Sequence, residues 1–342
     1  MADIGPAELV AGIALAALTA YVLLGGADFG GGVWDLLATG PRRREQRALI
    51  AEAIGPIWEA NHVWLILVIV VLFTCFPVAF ARLSIGLHIP LSLMLIGIVL
   101  RGSAFAFRSH YGHRGEHDGG AGSRQHWGRV FAVSSVGTPV MLGLCVSGIA
   151  AGTLRPPGRA GFYESYVAPW LTPFGVGVGL LTLALFAFLA AVYLTVEARE
   201  PALREDFRRR ALGAALAVFV TAFGTLGLAL LGAPLMGRGL TTAPWAPALH
   251  LATGVAAVTA IWALWSRRFR LARVAAAAQV SLILWGWALA QYPYLIPPDL
   301  TIREAAAPRI TLILSLWTLG LGTLVLCPSL IYLFRVFKPV PR

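Results

Sequence analysis

The sequence predicts an all-α polytopic membrane protein with nine transmembrane helices. Of its 342 residues, 58% are hydrophobic and only 13% are charged, whereas a soluble domain carries about 25% charged residues. Apolar runs recur along the chain, each near the roughly 20 residues that a helix needs to cross the hydrocarbon core. The basic residues fall mainly in alternate connections between these runs, as the positive-inside rule requires of a multi-pass chain.

Nine apolar runs are the predicted spans. They lie at about 7–35, 57–80, 83–107, 128–152, 169–197, 211–235, 247–266, 271–294 and 309–336. Residues 1–342 therefore form a single integral membrane domain. Its spans group as a first four-helix bundle (about 7–152), a second four-helix bundle (about 169–294) and one peripheral ninth helix (about 309–336). The connections are too short to hold a soluble catalytic domain.

The basic residues also predict the orientation of the chain. Twenty of the 27 Lys and Arg residues lie on one side of the spans and six on the other, with Arg101 inside a span. The N-terminus is therefore expected outside and the C-terminus in the cytoplasm. The net charge of +11 follows from this topology. No stripe of Lys and Arg with interleaved aromatic residues indicates a nucleic-acid partner.

Each of the first three spans carries one ionisable residue at a similar predicted depth. Asp28 falls in the inner third of span 1, Glu59 in the first turn of span 2, and Arg101 two turns before the end of span 3. The alternating direction of the spans puts all three at one depth, near the cytoplasmic side. Ionisable groups at such depth are rare and mark functional sites by default. They fit either a fixed ion-paired network or a proton path from the cytoplasm, and the residues alone leave both open.

Glycines surround Asp28. Gly26 and Gly30 are four residues apart, so they lie on one face of the helix. A small-residue face of this kind lets a neighbouring helix approach closely. The segment around Asp28 is therefore expected to be a helix–helix contact.

Three further polar or aromatic residues follow Glu59. Asn61, His62 and Trp64 could support the proton path by hydrogen bonding or by lining a cavity. Haem ligation by His62 would require a partner at similar depth, whereas His88 and His250 lie near the opposite surface. No metal site and no haem ligated by this chain alone are therefore expected. A proton-coupled secondary transporter is the alternative function, since buried ionisable groups suit that class too.

Five motifs resemble one family of membrane proteins. They are GGADFGGG (25–32), AIGPIWEANHVWL (53–65), LRGSAFAFR (100–108), WGWALAQYP (285–293) and PSLIYLFRVFK (328–338). Together they resemble subunit II of cytochrome bd-type quinol oxidases, including the cyanide-insensitive branch. The motifs extend over nearly the whole chain, and the second is the most specific.

The resemblance implies a heterodimer in the bacterial inner membrane with subunit I, which carries the quinol site, two b-type haems and haem d. The complex oxidises quinol and reduces oxygen to water, and this chain is inactive alone. Asp28, Glu59 and Arg101 match the proton route of the family, and Trp64 matches a position near the subunit contact. The family pattern has Asp in place of Glu59 and Gln in place of His62. Whether a structural quinone, a lipid or a small accessory subunit also binds is left open.

Overall fold

The computed structural model describes residues 4–54, 58–113, 120–154 and 161–337. The predicted start of the second span, at residues 55–57, lies outside these ranges. The first half of the described chain consists of α1 (Pro6–Leu36), α2 (Arg43–Ile54), α3 (Trp58–Cys75), α4 (Pro77–Gly86), α5 (His88–His113), α6 (Gly120–Ala150) and α7 (Phe162–Tyr166). The second half consists of α8 (Pro173–Glu197), α9 (Pro201–Gly232), α10 (Pro234–Thr242), α11 (Ala246–Trp265), α12 (Phe269–Gln291), β1 (Tyr294–Ile296), β2 (Leu300–Thr301), α13 (Ile302–Ala305) and α14 (Arg309–Phe337).

The described helices agree with a polytopic membrane protein. Eight of them are long and apolar enough to cross a membrane. A ninth span results if α2 and α3, which are bent by 52° relative to each other, are counted as one. The all-α class is therefore confirmed, whereas the nine-helix arrangement and the orientation of the termini stay predictions.

Prolines end several helices earlier than the hydropathy pattern indicates. The predicted second span, about 57–80, is interrupted at Phe76, because Pro77 opens α4. Proline lacks the backbone N–H of a helix interior and is favoured in a first turn. Pro234 likewise opens α10 after α9 ends at Gly232. Tyr294 and Thr301 pair in an antiparallel hairpin beyond Pro293, so α12 stops at Gln291.

Two charged segments predicted as connections between spans are helical. The segment Arg43–Ile54 forms α2, and α9 begins at Pro201, ten residues before the predicted span. The first turns of α9 are stabilised by ion pairs from Glu205 to Arg208 and Arg209, three and four residues away. Such spacings place the side chains next to each other on a helix.

The first helices of the two halves, α1 and α8, pack against each other in the centre of the protein. Helix α1 also contacts α3 and α6, and α8 also contacts α6, α9 and α12. The largest buried cluster lies at this junction and includes Phe29, Phe186, Leu189, Ala214 and Ala276. Helix α14 contacts α1 and α3, and few of the described residues in its apolar stretch are buried. The division into two four-helix bundles stays a prediction.

Candidate polar site in the membrane

Close helix contacts bury Asp28 in the middle of the protein. Helix α1 continues without a break through its glycine-rich segment. A Cβ atom at Gly30 would lie 1.9 Å from the main-chain oxygen of Phe186 in α8, and one at Gly32 would lie 2.1 Å from Oγ of Ser135 in α6. Only glycine permits these distances. The predicted close approach is therefore present, and it encloses Asp28, which is 6% exposed.

Asn61 of α3 contacts the carboxylate of Asp28 directly. Its Nδ2 donates a hydrogen bond of 2.6 Å to Oδ2 of Asp28, and Asn61 is itself only 2% exposed. Hydrogen bonds to an ionised acceptor are shorter and stronger than those between neutral groups. The bond fixes the rotation of α3 against α1, with the amide of Asn61 turned toward the acid.

Arg101 of α5 contacts the main chain of Asp28. Its Nη2 donates to the main-chain carbonyl of Asp28 at 2.9 Å. The guanidinium carbon lies 4.7 Å from the ring centre of Phe29 and 5.2 Å from that of Phe131, within the range of cation–π attraction. Arg101 is 2% exposed, and its Nε atom has no hydrogen-bond partner among the described residues. A buried cation therefore stands beside a buried acid.

His62 extends the cluster toward the aromatic residues of α1. Its half-buried ring lies 5.9 Å from the ring of Tyr21 and 6.1 Å from that of Phe29, centre to centre. Trp64 is half-buried and packs against the core cluster at the junction of α1 and α8. Among the described residues, no group of three or more His, Cys, Asp or Glu side chains is arranged to hold a metal ion.

Glu59 does not join the cluster. It lies two residues before Asn61 in α3, about 3 Å along the helix axis, so its depth is close to that of Asp28. Its side chain is nevertheless exposed on the outer surface. The exposed apolar residues Val63, Ile66 and Val70 continue along the same face of α3. The structure therefore brings Asp28, Asn61 and Arg101 together and turns Glu59 away from them.

Asp35 is a second buried acid of α1 that was not among the predicted site residues. It lies seven residues after Asp28 in α1, hence on nearly the same face, and is 2% exposed. Nε of Arg47 in α2 lies 3.8 Å from Oδ1 of Asp35 and also donates to its main-chain oxygen at 3.2 Å. The seven-residue spacing was the available signal. Asp35 lies at the edge of the apolar run, where an acid is normally exposed, so the pattern did not predict its burial.

Hydrogen bonds next to Asp35 connect the two halves of the chain on the arginine-rich side. Arg42 donates to both carboxylate oxygens of Asp206 in α9, at 2.9 and 2.6 Å. Gln46 of α2 donates to Asp206 at 2.9 Å and accepts from Arg210 at 2.7 Å. Helix α2 therefore links the end of α1 to the start of α9.

Comparison with known proteins gives one consistent family. The family model described as cytochrome bd terminal oxidase subunit II matches residues 6–337. Cytochrome bd ubiquinol oxidase subunit 2 of Bacillus subtilis (strain 168) is 38% identical over 93 residues, which cover 27% of this chain and 27% of that protein. Cytochrome bd-I ubiquinol oxidase subunit 2 of Escherichia coli (strain K12) is 24% identical over 160 residues, which cover 45% of this chain and 39% of that protein.

The chain thus matches well under two thirds of the length of these curated relatives. A solved structure is similar over a much larger part. A chain of the bd oxidase from Geobacillus thermodenitrificans superposes with a TM-score of 0.79 at 22% identity, covering 97% of this chain and 98% of that one. At this identity the superposition shows a shared fold.

Proposed function

Because the chain belongs to the cytochrome bd terminal oxidase subunit II family, we propose that it is the non-haem subunit of a complex that oxidises quinol and reduces oxygen to water. It is a multi-pass protein of the inner membrane. Its partner would be subunit I, which would carry two b-type haems and haem d and take quinol as substrate. Family membership favours this function over a proton-coupled transporter.

His62, His88 and His250 each make contacts within this chain. His88 bonds through Nδ1 to the carbonyl of Ile85 at 2.8 Å, and His250 bonds through Nε2 to the carbonyl of Leu240 at 2.7 Å. His62 packs against aromatic residues of α1. Family membership supports haem ligation by the partner, and the role of this chain would be to carry protons and to hold subunit I.

The observation that carries the proton role is the contact of Asp28 with Asn61 and Arg101. When Asp28 is ionised, Arg101 compensates its charge within the low-dielectric interior. When Asp28 is protonated on Oδ1, its Oδ2 atom can still accept the 2.6 Å hydrogen bond from Nδ2 of Asn61. The hydrogen bond from Asn61 is therefore compatible with both protonation states, as a proton relay requires. Asp35 lies on the same face of α1 and would be the next acid toward the arginine-rich side.

Glu59 would connect this chain to subunit I. A carboxylate exposed to hydrocarbon costs free energy. A partner chain that covers Glu59 would remove this contact with lipid. The exposed stripe of Val63, Ile66, Val70 and Phe73 starts next to Glu59 and supplies an apolar surface for helix contact. We propose that subunit I packs on this stripe and that Glu59 passes protons into it.

The test is a comparison of Glu59→Gln with Glu52→Gln in the purified complex. Glu52 is also exposed and lies on α2, outside the stripe, so its substitution removes the same charge. Loss of a positioned proton-transfer group lowers rates by about 10²–10⁴-fold. We therefore expect Glu59→Gln to slow quinol-dependent oxygen uptake by about 10²-fold or more, with unchanged haem content per complex. Asp28→Asn should also slow uptake.

A purely structural role predicts a different result. Glu59→Gln and Asp28→Asn would then keep the turnover of the Glu52→Gln control, and any loss of activity would follow the loss of assembled haem. That outcome would overturn the proton route while leaving the family assignment unchanged.

A further inference from the structure

A groove opens on the second half of the protein, where α9 begins and α11 ends. It has a volume of about 470 Å³ and is lined by Arg208, Leu212, Trp265, Ser266 and Arg267. Arg208 and Leu212 are one turn apart on α9, and the other three residues form the end of α11 and the turn that follows. The groove therefore lies on the arginine-rich side, at the boundary between the polar ends of the helices and their apolar surface.

One carboxylate arranges the cations of this groove. Glu205 accepts two hydrogen bonds from Arg208, at 2.8 and 2.7 Å. Arg209 lies 3.3 Å and Arg267 3.7 Å from the same carboxylate. The single negative charge of Glu205 balances one of these three guanidinium groups, so two positive charges remain. The side chains of Arg209 and Arg267 are 75% and 69% exposed, so these charges remain accessible to an anion.

Apolar side chains continue from the groove along the membrane-facing surface. On α9, Leu212 is followed at helical spacing by the exposed residues Leu216, Val220 and Phe223. On α11, Trp262 and Val258 continue the exposed face of Trp265. A tryptophan at the interface, with cations on one side and an apolar track on the other, matches the layers of a phospholipid.

We propose that this groove binds one anionic phospholipid from the leaflet on the arginine-rich side. Arg267 would bind the phosphate with its guanidinium fork, joined by Nη1 of Arg208, whose Nε and Nη2 donate to Glu205. The Ser266 hydroxyl would add a donor. The acyl chains would lie along the α9 track that starts at Leu212. A soluble phosphate compound would contact only the cations. A phospholipid would also contact Trp265 and the apolar residues of α9 that start at Leu212, and it is therefore the proposed occupant.

The test measures lipid binding by native mass spectrometry. The sample is the full chain, purified in detergent as a complex with its partner chains. The probes are phosphatidylglycerol, phosphatidylcholine and inorganic phosphate. The groove variant is Arg208→Gln with Arg267→Gln. The matched control is Arg43→Gln with Arg44→Gln, which removes two exposed charges of α2 on the same side. Each arginine near an anionic membrane surface contributes about fivefold in affinity, so two contribute about 30-fold.

The wild type should bind one phosphatidylglycerol more tightly than the groove variant by about 30-fold, with the control within about threefold of wild type. Trp265→Leu, which keeps all charges, should weaken binding by a smaller factor. This variant tests the groove independently if the double variant does not fold. Equal affinity of the groove variant and the control would overturn the proposal. Equal affinity for phosphatidylcholine, or full displacement by millimolar inorganic phosphate, would also overturn it.

Discussion

The contact between α1 and α8 at Gly30 allows a quantitative prediction for Gly30→Ala. The new methyl group would lie 1.9 Å from the main-chain oxygen of Phe186 and 2.8 Å from Cβ of Ala190. Ordinary van der Waals contact begins at 3.4 Å, so the two helices must separate locally by about 1.5 Å. A backbone oxygen in a helix cannot rotate away. Overpacking of this kind costs about 1–3 kcal/mol and sometimes more.

The displacement should also reach the polar site. Asp28 lies two residues before Gly30, and its 2.6 Å hydrogen bond to Asn61 would be lost if α1 moved away from α3 by such a distance, because N–H···O hydrogen bonds rarely exceed about 3.2 Å. We therefore expect Gly30→Ala to lower the thermal midpoint of the purified complex and its rate of quinol-dependent oxygen uptake. Tryptophan fluorescence and an oxygen electrode measure these quantities.

Gly12→Ala is the matched control for Gly30→Ala. Gly12 lies in the same helix, and a Cβ atom there would have no neighbour within 4 Å. Since alanine is a better helix former than glycine by about 1 kcal/mol, this variant should be neutral or slightly stabilised. If Gly30→Ala has the midpoint and turnover of Gly12→Ala, the close packing of α1 on α8 described here is wrong.

Two further substitutions test the polar site. Arg101→Ala removes the hydrogen bond to Asp28 and two cation–π contacts, so both the yield of assembled complex and its turnover should fall. Arg101→Lys should restore yield and turnover only in part, because lysine lacks the planar guanidinium fork. Wild-type turnover of Arg101→Ala would refute this prediction. Asn61→Leu removes the donor to Asp28, and because hydrogen bonds to charged groups contribute about 1.5–3 kcal/mol, the thermal midpoint should fall; an unchanged midpoint would show that this bond does not stabilise the protein.

Most of the fold was accessible from the sequence because hydrocarbon imposes simple rules. Spans must be long and apolar, and the eight long helices satisfy both conditions. What the pattern could not show was where proline divides an apolar run, as Pro77 does after α3. It also could not separate a charged helix from a charged loop, as in α2 and the start of α9, because ion pairs and tertiary contacts stabilise these segments.

The candidate site was predicted in part. The depth of Asp28 and Arg101 followed from topology, and their contact agrees with it. The direction of Glu59 could not be predicted, because α3 is apolar on nearly all sides and no polar stripe distinguishes its buried face. Asn61 was named as a supporting residue, yet it is the one that binds Asp28. Side-chain direction in such a helix depends on its neighbours.

The central claim is that this chain acts as the haem-free half of a quinol oxidase. Its most direct test is a blue-native gel of the complex purified through this chain, stained for haem and assayed for quinol-dependent oxygen uptake. We predict a single band that contains this chain and a haem-bearing partner, with oxygen uptake that requires both. A stable, haem-free homo-oligomer without oxygen uptake would contradict the account.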